Sequence, residues 1–132
     1  MSIKIIGLDN KIYNWNLSKF TDNNHNPSSL HIEARELLSS MYPLDSILEE
    51  VQLPGSTLIA DFYIHRVKLL VEVHGEQHYK YNNYFFKDKQ AFADAIKRDK
   101  SKQEWCMKNS ITYVELPFDK KSLWKDIINE RN

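Results

Sequence analysis

Residues 57–78 read TLIADFYIHRVKLLVEVHGEQH, and their pattern decides the fold. Two runs rich in β-branched and aromatic side chains, Leu58 to Ile64 and Val67 to His74, flank His65-Arg66, as two strands flank a tight turn. Side chains alternate faces along a strand, so Lys68, Leu70, Glu72 and His74 share one face while Leu69, Val71 and Val73 share the other. With His65-Arg66 as a two-residue turn, Ile64 pairs with Val67 and Asp61 with Leu70. Asp61 and Glu72 are then diagonal neighbours on one face, roughly 5–8 Å apart. Carboxylates that close in a partly dry sheet call for a cation between them or a proton on one of them. A divalent metal meets that demand, and the alternative is a solvated strand face with ordinary surface charges.

Working outward, Pro54-Gly55-Ser56 turns the chain into this hairpin from a preceding strand, Ser46 to Leu53, which alternates Ile47, Glu49, Val51 and Leu53 against a wetter face. Before it, Ser28 or Ser29 is a ready cap for a helix that runs from Leu30 to the stop at Pro43. Its apolar stripe is Ala34, Leu37, Leu38 and Met41, and Glu33 falls inside that stripe while Arg35 and Glu36 point away. A glutamate there is paired, linked to a metal or at the margin of the stripe.

After Gly75 the stretch YKYNNYFF, residues 79–86, reads as a loop whose aromatics either fill the domain's edge or stack on bases. A long helix is expected from Phe86 to Asn109, with Phe92, Ala95, Ile96, Gln103 and Cys106 on one side and Asp99 among them. Ile111 to Leu116 is a fourth core strand, and Leu123, Trp124, Ile127 and Ile128 make one face of a last helix. At the other end, Ile3 to Leu8 and Lys11 to Trp15 form a hairpin around Asp9-Asn10, expected as an appended ribbon, and residues 21–27 a polar loop.

The totals agree with one domain of 132 residues, in which 42% hydrophobic content is enough for a single core. Residues 1–27 are assigned to hairpin and loop and residues 28–132 to the core. No run of about 18 apolar residues reads as a membrane span and no leader pattern opens the chain, so a cytoplasmic protein is expected. The single cysteine, Cys106, excludes an internal disulfide and a multi-thiolate zinc site. Formal net charge is zero, but Lys80 to Lys102 carries seven Lys/Arg against three Asp, and Glu33 to Asp61 six acids against one Arg. The first segment suits phosphates and the second a cation.

The order of elements resembles the α/β restriction-endonuclease-like core of helix, three-strand meander, helix, strand, helix, here with an added N-terminal β-hairpin. Asp61 followed by Glu72-Val73-His74 is similar to the PD-(D/E)XK signature with histidine in place of lysine. Within that group the likeness is to very short patch repair endonucleases and the EDxHD homing endonucleases, carried by Val73-His74-Gly75, His78 and Lys97-Arg98-Asp99. The motifs SSLH, LPGS, DFYI and EVHGEQH, in this order, resemble small free-standing phage nucleases acting in the cytoplasm of a bacterial host.

The resemblance covers roughly residues 28–116. It implies a DNA endonuclease in which Asp61 and the Val73 carbonyl bind Mg²⁺, with Mn²⁺ as a substitute and Glu72 as an extra ligand. It further implies that Glu33 holds a water at the metal, His78 is the general base and Asp99 orients His78, with His74 completing the catalytic set. Lys80, Lys87, Lys97, Arg98 and Lys100 would contact double-stranded DNA, and Tyr84 and Phe85 would supply a wedge. Two features differ from the repair enzymes: one cysteine cannot build their structural zinc site, and Glu76-Gln77 stands where they carry mismatch-wedging aromatics. A DNA-binding module without catalysis, a mismatch nickase, and a zinc hydrolase using His74 and His78 are the rival readings. So short a chain leaves room for a homodimer or a partner in recognition.

Overall fold

Ser28 starts the first core helix as its cap: its extended backbone sets the hydroxyl to accept the His31 N–H at 3.1 Å, satisfying a donor that the helix leaves free. The computed structural model describes residues 2–19, 28–75 and 89–131, and within them the protein is a mixed α/β chain with two sheets and three helices. In order these are β1 (Ser2–Ile6), β2 (Ile12–Asn16), α1 (Ser29–Met41), β3 (Leu48–Gln52), β4 (Ile59–Ile64), β5 (Leu69–His74), α2 (Lys89–Lys108), β6 (Thr112–Pro117) and α3 (Trp124–Arg131). Strands β3, β4 and β5 form an antiparallel meander, and β6 joins β5 in parallel, so the main sheet runs β3-β4-β5-β6. A parallel neighbour needs a crossover, and α2 lies in it.

The central hairpin differs from expectation in its turn. The connection takes four residues, His65 to Lys68, with Lys68 at φ 49° and its N–H bonded to the His65 carbonyl at 3.0 Å. Arg66 in that turn grips Asp45 through two bonds, at 2.6 and 2.7 Å. The register becomes Ile64 with Leu69, Tyr63 with Leu70 and Phe62 with Val71. The pairing has moved by two residues, which keeps Leu70 with Tyr63 on one face and Leu69 and Val71 with Phe62 and Ile64 on the other, and brings Asp61 level with Glu72 rather than with Leu70.

Both faces of the sheet are covered. Leu69, Val71, Phe62, Val114 and Leu116 pack with Ala34 and Leu38 of α1 and Trp124 and Ile128 of α3. On the other face Leu70, Tyr63 and Tyr113 pack with Trp105 and Cys106 of α2 and with Ile5, Trp15 and Leu17. This second cluster corrects the reading of the N-terminal hairpin as an appended ribbon. Trp15 is 2% exposed, lies 4.7 Å from the Tyr63 ring and 5.2 Å from the Trp105 ring, and donates its indole N–H to the Gln52 carbonyl at 3.1 Å. Asn109 accepts the Ile6 N–H at 2.7 Å and donates to the Ile6 carbonyl at 2.8 Å, pinning β1 to the end of α2.

The turn falls around Asp9-Asn10 as expected, but the strands stop at Ile6 and Ile12, so residues 7–11 form the connection rather than Asp9-Asn10 alone. Asn10 adopts φ 65°, a conformation that asparagine tolerates, and its N–H reaches the Gly7 carbonyl at 3.0 Å. Gly7 is required for docking: a Cβ there would sit 2.7 Å from the Gly55 Cα, so the tip of the hairpin seats backbone to backbone on the turn before β4.

Candidate functional site

The main sheet forks at Asp61. Antiparallel pairing between β4 and β5 runs to Phe62 with Val71; beyond that pair, side chains occupy the gap. The Asp61 N–H donates to Glu72 Oε2 at 2.7 Å, and the Val73 N–H donates to Asp61 Oδ2 at 2.8 Å. Each carboxylate thus takes a main-chain donor of the opposite strand, in place of the carbonyl that would normally pair there. On its other side Asp61 lies level with Glu50, which sits between the Glu49–Phe62 and Val51–Ala60 pairs at φ 51°. A left-handed glutamate costs conformational energy, so regular pairing is relaxed on both sides of Asp61.

The far wall of the fork is α2. Ala95, Asp99 and Cys106 are buried on one stripe of this helix, and Lys102, three residues after Asp99 and four before Cys106, belongs to the same stripe. Lys102 Nζ donates to Glu72 Oε1 at 2.5 Å, with side-chain exposures of 14% for the lysine and 3% for the glutamate. Gln103, expected on the buried side, instead faces out and bonds Glu115 at 2.9 Å. In the sequence Lys102 is one charge of a basic segment, and only its three-and-four spacing from Asp99 and Cys106 marks it as belonging to the buried stripe.

Glu72, His74 and Asp99 are all buried, and one ligand atom from each lies within 4.8 Å of the others. His74 stands between two carboxylates, with Nε2 3.9 Å from Asp99 Oδ1 and Nδ1 3.6 Å from Glu115 Oε2. Burial first, and then the charge of Asp61, raises the Glu72 pKa above its ordinary value of 4.5, while Lys102 pulls the other way. The same surroundings act on Cys106, whose thiol is pushed up to about 12 by burial and by the Glu72 charge. Cys106 is therefore a protonated core residue, as its place in the sequence suggested.

The donor set fits a divalent cation. Glu72, His74 and Asp99 offer two carboxylates and an imidazole nitrogen close enough to share one ion, the raised proton affinity of Glu72 is a cost that a cation would relieve, and Asp61 adjoins Glu72 through a main-chain bond. Hard oxygens suit Mg²⁺, and a mixed nitrogen and oxygen set also accepts Mn²⁺ or Zn²⁺.

Asp61, Glu72, Val73, His74 and Asp99 are thus brought together, and Glu33 is not. The Glu33 carboxylate is exposed and pairs with Lys121 Nζ at 2.7 Å, on a helix packed in the other cluster. The stripe of α1 is real, but it buries His31, Ala34 and Leu38 and leaves Glu33 outside. Lys97, Arg98 and Lys100 are exposed on α2. His78, Lys80, Tyr84, Phe85 and Lys87 lie outside the described residues.

A second buried polar group was missed in the sequence. Glu49 on β3 accepts from Arg35 Nε at 2.9 Å and Nη2 at 3.0 Å, and its Oε1 lies 2.6 Å from His31 Nε2. The His31 ring stacks on Phe62 at 4.3 Å. Arg35 therefore points inward, against expectation, and the group braces α1 to β3. Burial works to raise the Glu49 pKa, but the Arg35 and His31 bonds outweigh it and leave a lowered value.

No helix among the described residues is long and apolar enough to cross a membrane. No protein-family model matches the chain, and no solved structure matches it. Two curated viral proteins do. Uncharacterized protein 307L of Invertebrate iridescent virus 6 is 40% identical over 63 residues, covering 48% of this chain and 32% of the relative. Uncharacterized protein 033L of Invertebrate iridescent virus 3 is 33% identical over 64 residues, covering 48% of this chain and 33% of the relative. The match therefore spans about a third of the length of either relative.

Proposed function

We propose that the protein is a metal-dependent DNA endonuclease of the restriction-endonuclease-like group, related to the EDxHD homing nucleases. The observation that carries this reading is the fork, where Asp61 and Glu72 exchange main-chain bonds across diverging strands while Lys102 closes on Glu72 from α2. Facing carboxylates in a buried gap, one of them with a raised pKa, mark a candidate functional site. The element order and the likeness of Asp61 and Glu72-Val73-His74 to the PD-(D/E)XK signature give the same reading.

Hydrolysis of a phosphodiester joins a water oxygen to phosphorus and breaks the bond from phosphorus to one ester oxygen. One proton leaves the water and one reaches the departing alkoxide. Asp61, Glu72 and the Val73 carbonyl are the groups that would hold Mg²⁺, which supplies Lewis-acid charge at the phosphate. Main-chain bonds from Val73 and Asp61 fix both carboxylates before any substrate arrives, so little reorganisation remains for the reaction. Lys102 brings to this place the positive charge that the signature ordinarily draws from the strand, where His74 stands here. His74, when protonated, balances Asp99 and Glu115. The resemblance assigns the base to His78.

Supercoiled plasmid incubated with Mg²⁺ or with chelator, beside Asp61→Asn, tests this reading. Nicked or linear DNA with the unmodified protein in Mg²⁺ alone is the expected result. Metal-independent cleavage, or equal cleavage by the variant, would refute it. Metal-free DNA binding without cleavage across a genomic library would instead identify a binding module.

A further inference from the structure

The hairpin tip, the turn before β4 and one flank of α2 enclose a cleft of about 420 Å³. Leu8 forms one wall, residues 56–58 the second, and Lys97, Arg98 and Ser101 the third. The walls are held in fixed relation. Gly7 packs on Gly55, the Ser56 hydroxyl bonds the Leu53 carbonyl at 2.6 Å and the Leu58 N–H at 3.1 Å, and Asn109 ties β1 to α2. Lys97 and Arg98 are exposed, and neither forms an ion pair among the described residues. Asp94, the one acid in the lining, accepts from the Gln90 amide at 2.9 Å. Among the described residues, two cations without an ion pair and the Thr57 and Ser101 side chains therefore line an open cleft with room for a phosphate.

Its position gives the cleft a use. Arg98 precedes Asp99, Ser101 precedes Lys102, and Leu58 lies three residues before Asp61. One flank of α2 thus lines the cleft while the adjoining stripe closes the carboxylate fork, less than about one helical turn away along the axis. We infer that this cleft is a backbone subsite which holds a phosphate next to the cleaved bond through Lys97 and Arg98, and that the N-terminal hairpin forms part of the grip. The inference rests on the nuclease reading for its ligand but not for its test.

That test is metal-free binding of a short labelled DNA duplex, with chelator, across about 50 to 200 mM salt. Lys97→Gln/Arg98→Gln should weaken binding by tenfold or more at the low end and make the slope of log K against log salt shallower by about 1.8, two phosphates' worth. Lys125→Gln, on exposed α3 surface, should leave both unchanged. Leu8→Arg, which adds a cation to the opposite wall, should tighten binding several-fold. Unaltered affinity and slope in the double variant, or an unmodified protein that binds no duplex, would overturn the subsite. A double variant that still cleaves plasmid with unchanged KM would sink the subsite and leave the nuclease standing. Metal-free binding lost in the double variant, from a parent that never cleaves, would do the reverse.

Discussion

Lys102 on α2 and Glu72 on β5 are separated by 30 residues of chain, and their charged atoms lie 2.5 Å apart in a largely buried pair. The lysine occupies the oxygen that a divalent cation would need, so the two cations compete. Lys102→Met should therefore tighten Mn²⁺ or Mg²⁺ binding by about tenfold, roughly 1.4 kcal/mol, read by calorimetry, while plasmid cleavage falls on the order of a hundredfold. Weaker metal binding in the variant would show that the ammonium supports the site rather than competing for it.

Glu72 also sets a pH dependence. Its folded pKa is raised, by burial first and by Asp61 second, so the native state binds this proton more tightly than the unfolded chain. Its contribution is greatest below the unfolded value near 4.5 and is lost as pH rises through the raised value. Urea unfolding of metal-free protein should show that decline with rising pH, and Glu72→Gln should remove it. Divalent metal should bind better across the same interval, because the ligand is then deprotonated. An identical pH profile in the glutamine variant would rule out Glu72 as its source.

Asp61→Asn tests the fork in the opposite sense. An asparagine oxygen still accepts the Val73 N–H, and one of two facing charges disappears, so stability should hold or rise slightly. Metal affinity should drop by tenfold or more and cleavage should be lost. A variant that unfolds would mean that the carboxylate is chiefly structural.

Glu49 carries the reverse sign. Its lowered pKa means that its stabilisation is present above the ordinary value of 4.5 and is lost as pH falls through the folded value. Glu49→Gln leaves His31 and Arg35 with a neutral partner and should destabilise by about 3 kcal/mol at neutral pH, as broken buried pairs do. It should also flatten the acid limb of the denaturation curve. A steep acid limb that persists in the variant would place that titration elsewhere.

Trp15 measures how far the N-terminal hairpin belongs to the core. Trp15→Ala empties a site lined by Tyr63 and Trp105 and removes a bond to Gln52, so a loss of about 3–5 kcal/mol is expected by urea unfolding. A loss under about 1 kcal/mol would return the hairpin to the status of an appendage.

Periodicity by itself determined the order of elements, and residue chemistry narrowed the first helix cap to Ser28 or Ser29, of which the structure uses Ser28. Strand faces depend only on odd and even positions, which survive the two-residue slip that a four-residue turn introduced. Which residue stands opposite Asp61 depends on that turn, and nothing in the alternation records its length. Helix stripes were legible to about one position in the turn. That tolerance placed Asp99 correctly, and it is too coarse to separate Lys102 from Gln103. Long-range docking was decided by tertiary structure alone. Trp15 reaches Tyr63 and Trp105, and Lys102 reaches Glu72, only because both sheet faces must be covered, and local pattern does not say which distant segment covers them.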